Sequence, residues 1–157
     1  MSLRLLIFRH AESGFDAPSD HERVLTEHGI QQAKFMGEQL NEREIYPDLV
    51  VCSSATRAKT TMQLAMEAGQ WECDTSITDI LYNTTVEVMA GLITQLSDND
   101  KTVMLVGHEP TWSELASILT GEEMSFNTAG MCCISFELEH WAEVAPQAGI
   151  LEWYESP

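Results

Sequence analysis

The sequence predicts an α/β fold: a single-domain, three-layer α/β/α sandwich with a mostly parallel sheet, an antiparallel edge and no cap insertion. Three observations carry that prediction. Short apolar runs such as Leu5–Phe8 and Val103–Val106 read as buried strands. Segments with helical apolar spacing alternate with them along the chain. The length, 157 residues, suits one hydrophobic core, so 1–157 is expected to form one domain.

Each element has its own signal. Leu5, Leu6, Ile7 and Phe8 form the first strand, which stops at Arg9-His10. A polar loop over 12–23, with Gly14 and Pro18, follows. Thr26 is placed to cap a helix running to about Arg43, with Ile30, Ala33, Phe35, Met36 and Leu40 as its apolar stripe. Pro47 precedes a second strand, Asp48–Cys52, and Ser53 and Ser54 lead into a helix ending near Gly69. A weaker third strand is expected around Ser76–Leu81. Thr84 and Glu87 fit a capping box ahead of Val88, Leu92, Ile93 and Leu96.

The fourth strand, Thr102–Val106, runs into Gly107-His108. Pro110 suits the first position of the next helix, which stops before Gly121. Met131–Leu138 and Ile150–Tyr154, joined by a loop with Pro146 and Gly149, are the final strands and the expected antiparallel edge. Connections this short leave no lid, so a pocket at the strand ends should be shallow and open.

Charge narrows the function classes. Twenty-five acidic residues against 8 basic give a net charge of -17. Binding a phosphate backbone needs clustered lysine and arginine, which argues against nucleic acid as a partner. No segment approaches the ~18 uninterrupted apolar residues of a membrane span. The run up to Phe8 is too short for a signal peptide, and no small-residue cleavage site follows it. Cys52, Cys73, Cys132 and Cys133 make no C-x-x-C pair, so all four are expected to be buried thiols of a reducing cytoplasm rather than metal ligands. No metal and no cofactor are expected.

Two histidines ending strands carry the chemistry. In an open α/β sheet, ligands bind at the carboxyl ends of the strands. The ends of the first, second and fourth strands bring His10, Arg57 and His108 towards one point, with Arg9 beside His10. Arginine forks match phosphate oxygens, and a neutral imidazole is a good nucleophile. Arg57 in the first turn of its helix opposes the helix dipole, an objection that a bound anion removes. Three of the eight basic residues, Arg9, Arg23 and Arg57, fall in these segments. The acidic residues of the 12–23 loop, Glu12, Asp16 and Asp20, are expected to be solvated.

Three motifs then resemble a known family. Leu6-Ile7-Phe8-Arg9-His10-Ala11-Glu12, the run Ser53–Thr61 around Arg57, and Val106-Gly107-His108-Glu109-Pro110-Thr111 resemble, in order and spacing, the signatures of the histidine phosphatase superfamily. Arg23-Val24-Leu25-Thr26-Glu27-His28-Gly29 and the short length are similar to its SixA branch of phosphohistidine phosphatases. The resemblance implies that His10 becomes transiently phosphorylated and that Arg9 and Arg57 clamp the phosphoryl oxygens. It further implies that His108 donates to the phosphoryl group and that Arg23 is an additional phosphate or substrate contact.

The chain departs from the family in one region. Many members place a glutamate after the third strand as acid for an alcohol leaving group. Here that region reads Asp79-Ile80-Leu81-Tyr82-Asn83-Thr84-Thr85-Val86-Glu87, where Glu87 is expected to serve the helix cap and Asp79 is the alternative acid. Without an acid, an alkoxide-like group leaves with difficulty, since water itself has a pKa of ~15.7. A phosphorylated imidazole is protonated far more readily, given a reference histidine pKa of ~6.5. The expected substrate is therefore a phosphorylated protein, such as a histidine-containing phosphotransfer domain. The alternatives are a small-molecule phosphatase or mutase and, from another class, a non-catalytic phosphate-binding module.

Overall fold

In the computed structural model, residues 2–157 are described. Six strands form one sheet: β1 (Leu3–Arg9), β2 (Leu49–Ser53), β3 (Asp74–Thr78), β4 (Thr102–Gly107), β5 (Met131–Phe136) and β6 (Ile150–Glu155). Four helices lie between them: α1 (Glu27–Glu42), α2 (Thr56–Gly69), α3 (Val86–Thr94) and α4 (Thr111–Thr120). The strand order is β3-β2-β4-β1-β5-β6. The first four strands are mutually parallel, and β5 pairs antiparallel with both β1 and β6. This is the three-layer fold with an antiparallel edge that the alternation predicts.

Strand pleating divides the core in two. Leu6 and Phe8 of β1 point to the face covered by α1 and α2, where they meet Ala33, Met36, Leu40, Ala58, Met62 and Ala65. Leu3, Leu5 and Ile7 point to the face of α3 and α4, against Met89, Ile93, Trp112 and Leu115. Burying the β1 side chains on both faces leaves that strand no polar side, hence its unbroken apolar run. The two helices of the first layer touch at Gly37, where a Cβ would lie 2.1 Å from the Ala65 carbonyl oxygen.

Several boundaries differ from the sequence expectation. β3 ends at Thr78, and Asp79–Leu81 form a 3-10 turn, because Thr78 Oγ1 accepts the Ile80 N–H and stops the strand. Thr85, not Thr84, caps α3 by accepting the Val88 N–H at 3.3 Å. That choice turns Met89 and Ile93 into the core and leaves Glu87 exposed, so no capping box forms. Helix α4 begins after Pro110, its amino end held by the Glu109 carboxylate, which accepts from Ser113 N at 2.8 Å. β5 stops at Phe136 because its partner Leu3 is the first residue of β1.

All four cysteines are free; three are buried and Cys73 is only half-buried. Burial pushes the Cys52 thiol up to about 12 and the Cys133 thiol up to about 11, which makes them inert packing groups. Among the described residues no helix is long and apolar enough to cross a membrane.

Candidate active site

The parallel strands β1, β2 and β4 end on one edge of the sheet, and the candidate residues follow directly from those ends. His10 comes one residue after β1, His108 one residue after β4, and Arg57 is the second residue of α2. Backbone hydrogen bonds continue past the strand: His10 N–H donates to the Gly107 carbonyl at 3.0 Å, and the His10 carbonyl accepts from Ala129 N–H at 3.0 Å. Thr61, on α2, accepts the Ala11 N–H and donates to the Arg57 carbonyl, which ties the loop after β1 to the helix that carries Arg57.

The two imidazoles have ring centroids 5.2 Å apart. Arg57, almost fully buried, lies between them. Its Nε–H points at His10 Nε2 from 3.4 Å, and its Nη2 lies 3.5 Å from His108 Nδ1. His10 Nδ1 is 2.7 Å from the Ala11 carbonyl oxygen, which only accepts, so the ring proton sits on Nδ1 and the Nε2 lone pair faces Arg57. Burial, aided by the charges of Arg57 and Arg9, pushes His10 down to about 4 despite that hydrogen bond. Burial, with His10 and Arg57 adding to it, pushes His108 down to about 3. Near neutral pH both rings are therefore uncharged, and His10 keeps a free lone pair as a nucleophile needs.

Arg9 closes another side. Its Nη1 donates to the Phe126 carbonyl at 2.8 Å, while its buried Nε has no protein partner. A buried guanidinium nitrogen without an acceptor is costly unless an anion supplies one. Lone pair, arginine donors and second imidazole together suit a tetrahedral oxyanion of phosphorus.

A family model for the histidine phosphatase superfamily, branch 1, matches residues 5–96. The chain belongs to the histidine phosphatase superfamily. A protein of uncharacterised function from Mycobacterium tuberculosis strain H37Rv is 32% identical over 161 residues, which cover 95% of this chain and 99% of that protein. A structure assigned as phosphohistidine phosphatase SixA from Nakamurella multipartitia superposes with a TM-score of 0.89 at 26% identity, over 100% of this chain and 97% of that one. One with the same assignment from Agrobacterium tumefaciens gives 0.85 at 27% identity, over 99% and 98%. This histidine phosphatase therefore has the architecture of the SixA-like branch.

The rim of the candidate site also holds residues for which the sequence gives no clear signal. Arg23 does not reach the histidines in its observed hydrogen bonds. Its Nε donates to the Gly14 carbonyl, its Nη2 to Ser13 Oγ and its Nη1 to the Asp20 carboxylate, with the Phe15 ring stacked 4.1 Å away. Asp20 is exposed, as expected, yet it also joins the loop to the centre. Its backbone carbonyl and carboxylate accept from Arg57 at 2.7 and 3.2 Å, and the carboxylate also accepts from Tyr82 Oη at 2.6 Å. Tyr82 and Arg23, with Arg57 adding its charge, hold that carboxyl far below the usual range.

Tyr82 also sets its ring edge-on to His108 at 5.7 Å and to His21 at 4.7 Å. His21 Nε2 lies 2.9 Å from Ser54 Oγ, which donates to the Asp79 carboxylate. Asp79 is thus bound within a His21-Ser54-Asp79 chain on the rim. A serine pair, an aspartate in a polar loop and a tyrosine after a strand have no spacing that marks them in sequence; only the folded loop brings them together.

Proposed function

We propose that this phosphatase removes phosphate from phosphohistidine in proteins through a phosphorylated His10. The observation that carries this reading is the placement of the Arg57 guanidinium against both rings, with Nε 3.4 Å from the His10 lone pair and Nη2 3.5 Å from His108. His10 Nε2 attacks phosphorus, and the bond from phosphorus to the substrate imidazole breaks as that ring takes a proton on its other nitrogen. Arg9, Arg57 and His108 stabilise charge on the equatorial oxygens. Water then attacks the phosphohistidine, releasing inorganic phosphate and free His10. Arg23 acts through Asp20, bracing the loop that holds the Arg57 guanidinium in place.

The leaving group and the open edge support a protein substrate. The longest connection at the active edge is the 10–26 loop, and no inserted lid encloses the histidines. A histidine on another protein's surface needs that access; a histidine-containing phosphotransfer domain is the kind of partner that fits. The structures similar to this chain that are assigned as phosphohistidine phosphatases support the same substrate class. A reducing cytoplasm suits the four free thiols.

Side-by-side dephosphorylation of a phosphohistidine protein and of sugar phosphates tests the reading. The expected result is a large preference for the phosphohistidine protein, with acid-labile phosphate trapped on the wild type and absent from His10→Ala. A preference for the sugar phosphates would replace the substrate class. A wild type that no phosphodonor labels would remove the catalytic reading altogether.

A further inference from the structure

Ser53 ends β2 fully buried against His108. Its Oγ lies 2.8 Å from His108 Nε2 and accepts the Ala55 N–H at 3.2 Å. A serine hydroxyl has one proton to donate. Among the described residues, His108 Nε2 is the one group within hydrogen-bonding distance that can accept it. If Nε2 carried the ring proton instead, the Ser53 oxygen would accept from both Nε2 and the Ala55 N–H, and its own hydroxyl proton would be buried without an acceptor, an arrangement native structures avoid.

We propose that Ser53 fixes the tautomer of His108: the hydroxyl donates to Nε2, so the single ring proton sits on Nδ1 and faces the phosphoryl position. The inference rests on the reading of His108 as the histidine that stabilises the phosphoryl group. It explains how His108 donates without being charged. Burial holds its ring neutral far below neutral pH, so an imidazolium is not at hand. A neutral ring donates inward only if its proton is on the inward nitrogen. Arg57 Nη2, which can only donate, lies 3.5 Å from Nδ1, too far for more than a weak hydrogen bond, whereas Ser53 Oγ stands 2.8 Å from Nε2, so the Ser53 contact decides the tautomer. With Nδ1 protonated, two N–H groups face one place, and a phosphoryl oxygen there accepts from both.

The site then contains two neutral imidazoles set in opposite senses. The Ala11 carbonyl draws the His10 proton outward and leaves a lone pair inside. Ser53 gives its proton to the outer nitrogen of His108 and leaves a proton inside. One ring attacks phosphorus and the other donates to its oxygens. Ser53 touches no substrate atom, so it is a positioning residue.

Long-range nitrogen–proton NMR of the imidazole-labelled wild type at neutral pH reads the tautomer directly. The expected spectrum shows His108 protonated on Nδ1 with Nε2 as an acceptor, and Ser53→Ala shifts it towards a mixture. Turnover of phosphoramidate, a small phosphorus–nitrogen donor, should fall roughly 10- to 100-fold in Ser53→Ala, at or below the loss expected for removing one oxyanion donor. A wild-type His108 protonated on Nε2 overturns the proposal without any variant. So does a Ser53→Ala protein that keeps both the Nδ1 tautomer and the turnover. Failure of the phosphatase reading would appear elsewhere, as a His10 that never takes up phosphate.

Discussion

Arg57 grips Asp20 at two points, its Nη1 on the backbone carbonyl at 2.7 Å and its Nη2 on the carboxylate at 3.2 Å. The loop after β1 thereby orients the guanidinium that lies between the two histidines. Asp20→Ala removes the carboxylate and leaves the carbonyl. The expected outcome is a fall in kcat/KM of about 10- to 100-fold from a looser Arg57. Arg57→Ala, which removes the donors themselves, should cost at least ~10²- to 10³-fold. Steady-state kinetics on one phosphodonor ranks the two, and an Asp20→Ala enzyme as damaged as Arg57→Ala would mean that Asp20 does more than orient.

The low histidine pKa values give a signed pH dependence. Unfolded, both rings take up a proton as pH falls through ~6.5; folded, His10 does so only near 4 and His108 only near 3. Between those limits the unfolded chain binds more protons, so the stability present above pH 6.5 is progressively lost as pH falls towards 4. His140, exposed and paired with Asp98, has the opposite sign but is screened by solvent. The urea midpoint should be lower at pH 5 than at pH 7, and His108→Asn should flatten that slope. Ring titrations followed by NMR check the two midpoints directly.

Gly107 precedes His108 and lies on Trp112. A Cβ there would stand 2.5 Å from the indole ring, which is itself fixed by Nε1–H donating to the Phe8 carbonyl. Gly107→Ala therefore overpacks the region beneath the histidines, at a cost of ~1–3 kcal/mol. Thermal unfolding should drop by roughly 2–4 °C per kcal/mol for a chain of this size. An unchanged Tm would show that Trp112 yields freely.

Glu87 sits exposed in the first turn of α3. Glu87→Ala is expected to leave turnover within about twofold and to lower stability by ~0.3–1 kcal/mol through the helix dipole. A large loss of activity with a phosphate ester, but not with a phosphohistidine protein, would make Glu87 the acid for an alcohol leaving group.

Periodicity made most of the fold legible. The strands holding His10 and His108 are buried on both faces, and that demand shows as uninterrupted apolar runs. The residues of β3 are mostly exposed, so no burial pattern in the sequence marks where the strand ends. Adjacent Thr84 and Thr85 both offer a capping hydroxyl, and only the packing of Met89 and Ile93 selects between them. Within the candidate site, Arg9, His10, Arg57 and His108 are readable from strand ends and motif spacing; the contacts of Asp20, Tyr82 and Ser53 are not. Their partners lie 37, 62 and 55 positions away along the chain, and a hydrogen bond between such distant residues leaves no periodic trace.

Arg9 of β1 pairs with Gly107 of β4, so the two histidines occupy matched places just beyond that rung. Adjacent strands lie ~4.8 Å apart, and the imidazole centres are separated by 5.2 Å. The distance between the two rings is thus close to the pitch of the peptide ladder, a length that substitutions in the surrounding core have little power to tune. Core sequence can drift while this gauge holds, whereas a single residue inserted into β4 would carry His108 to the opposite side of the sheet.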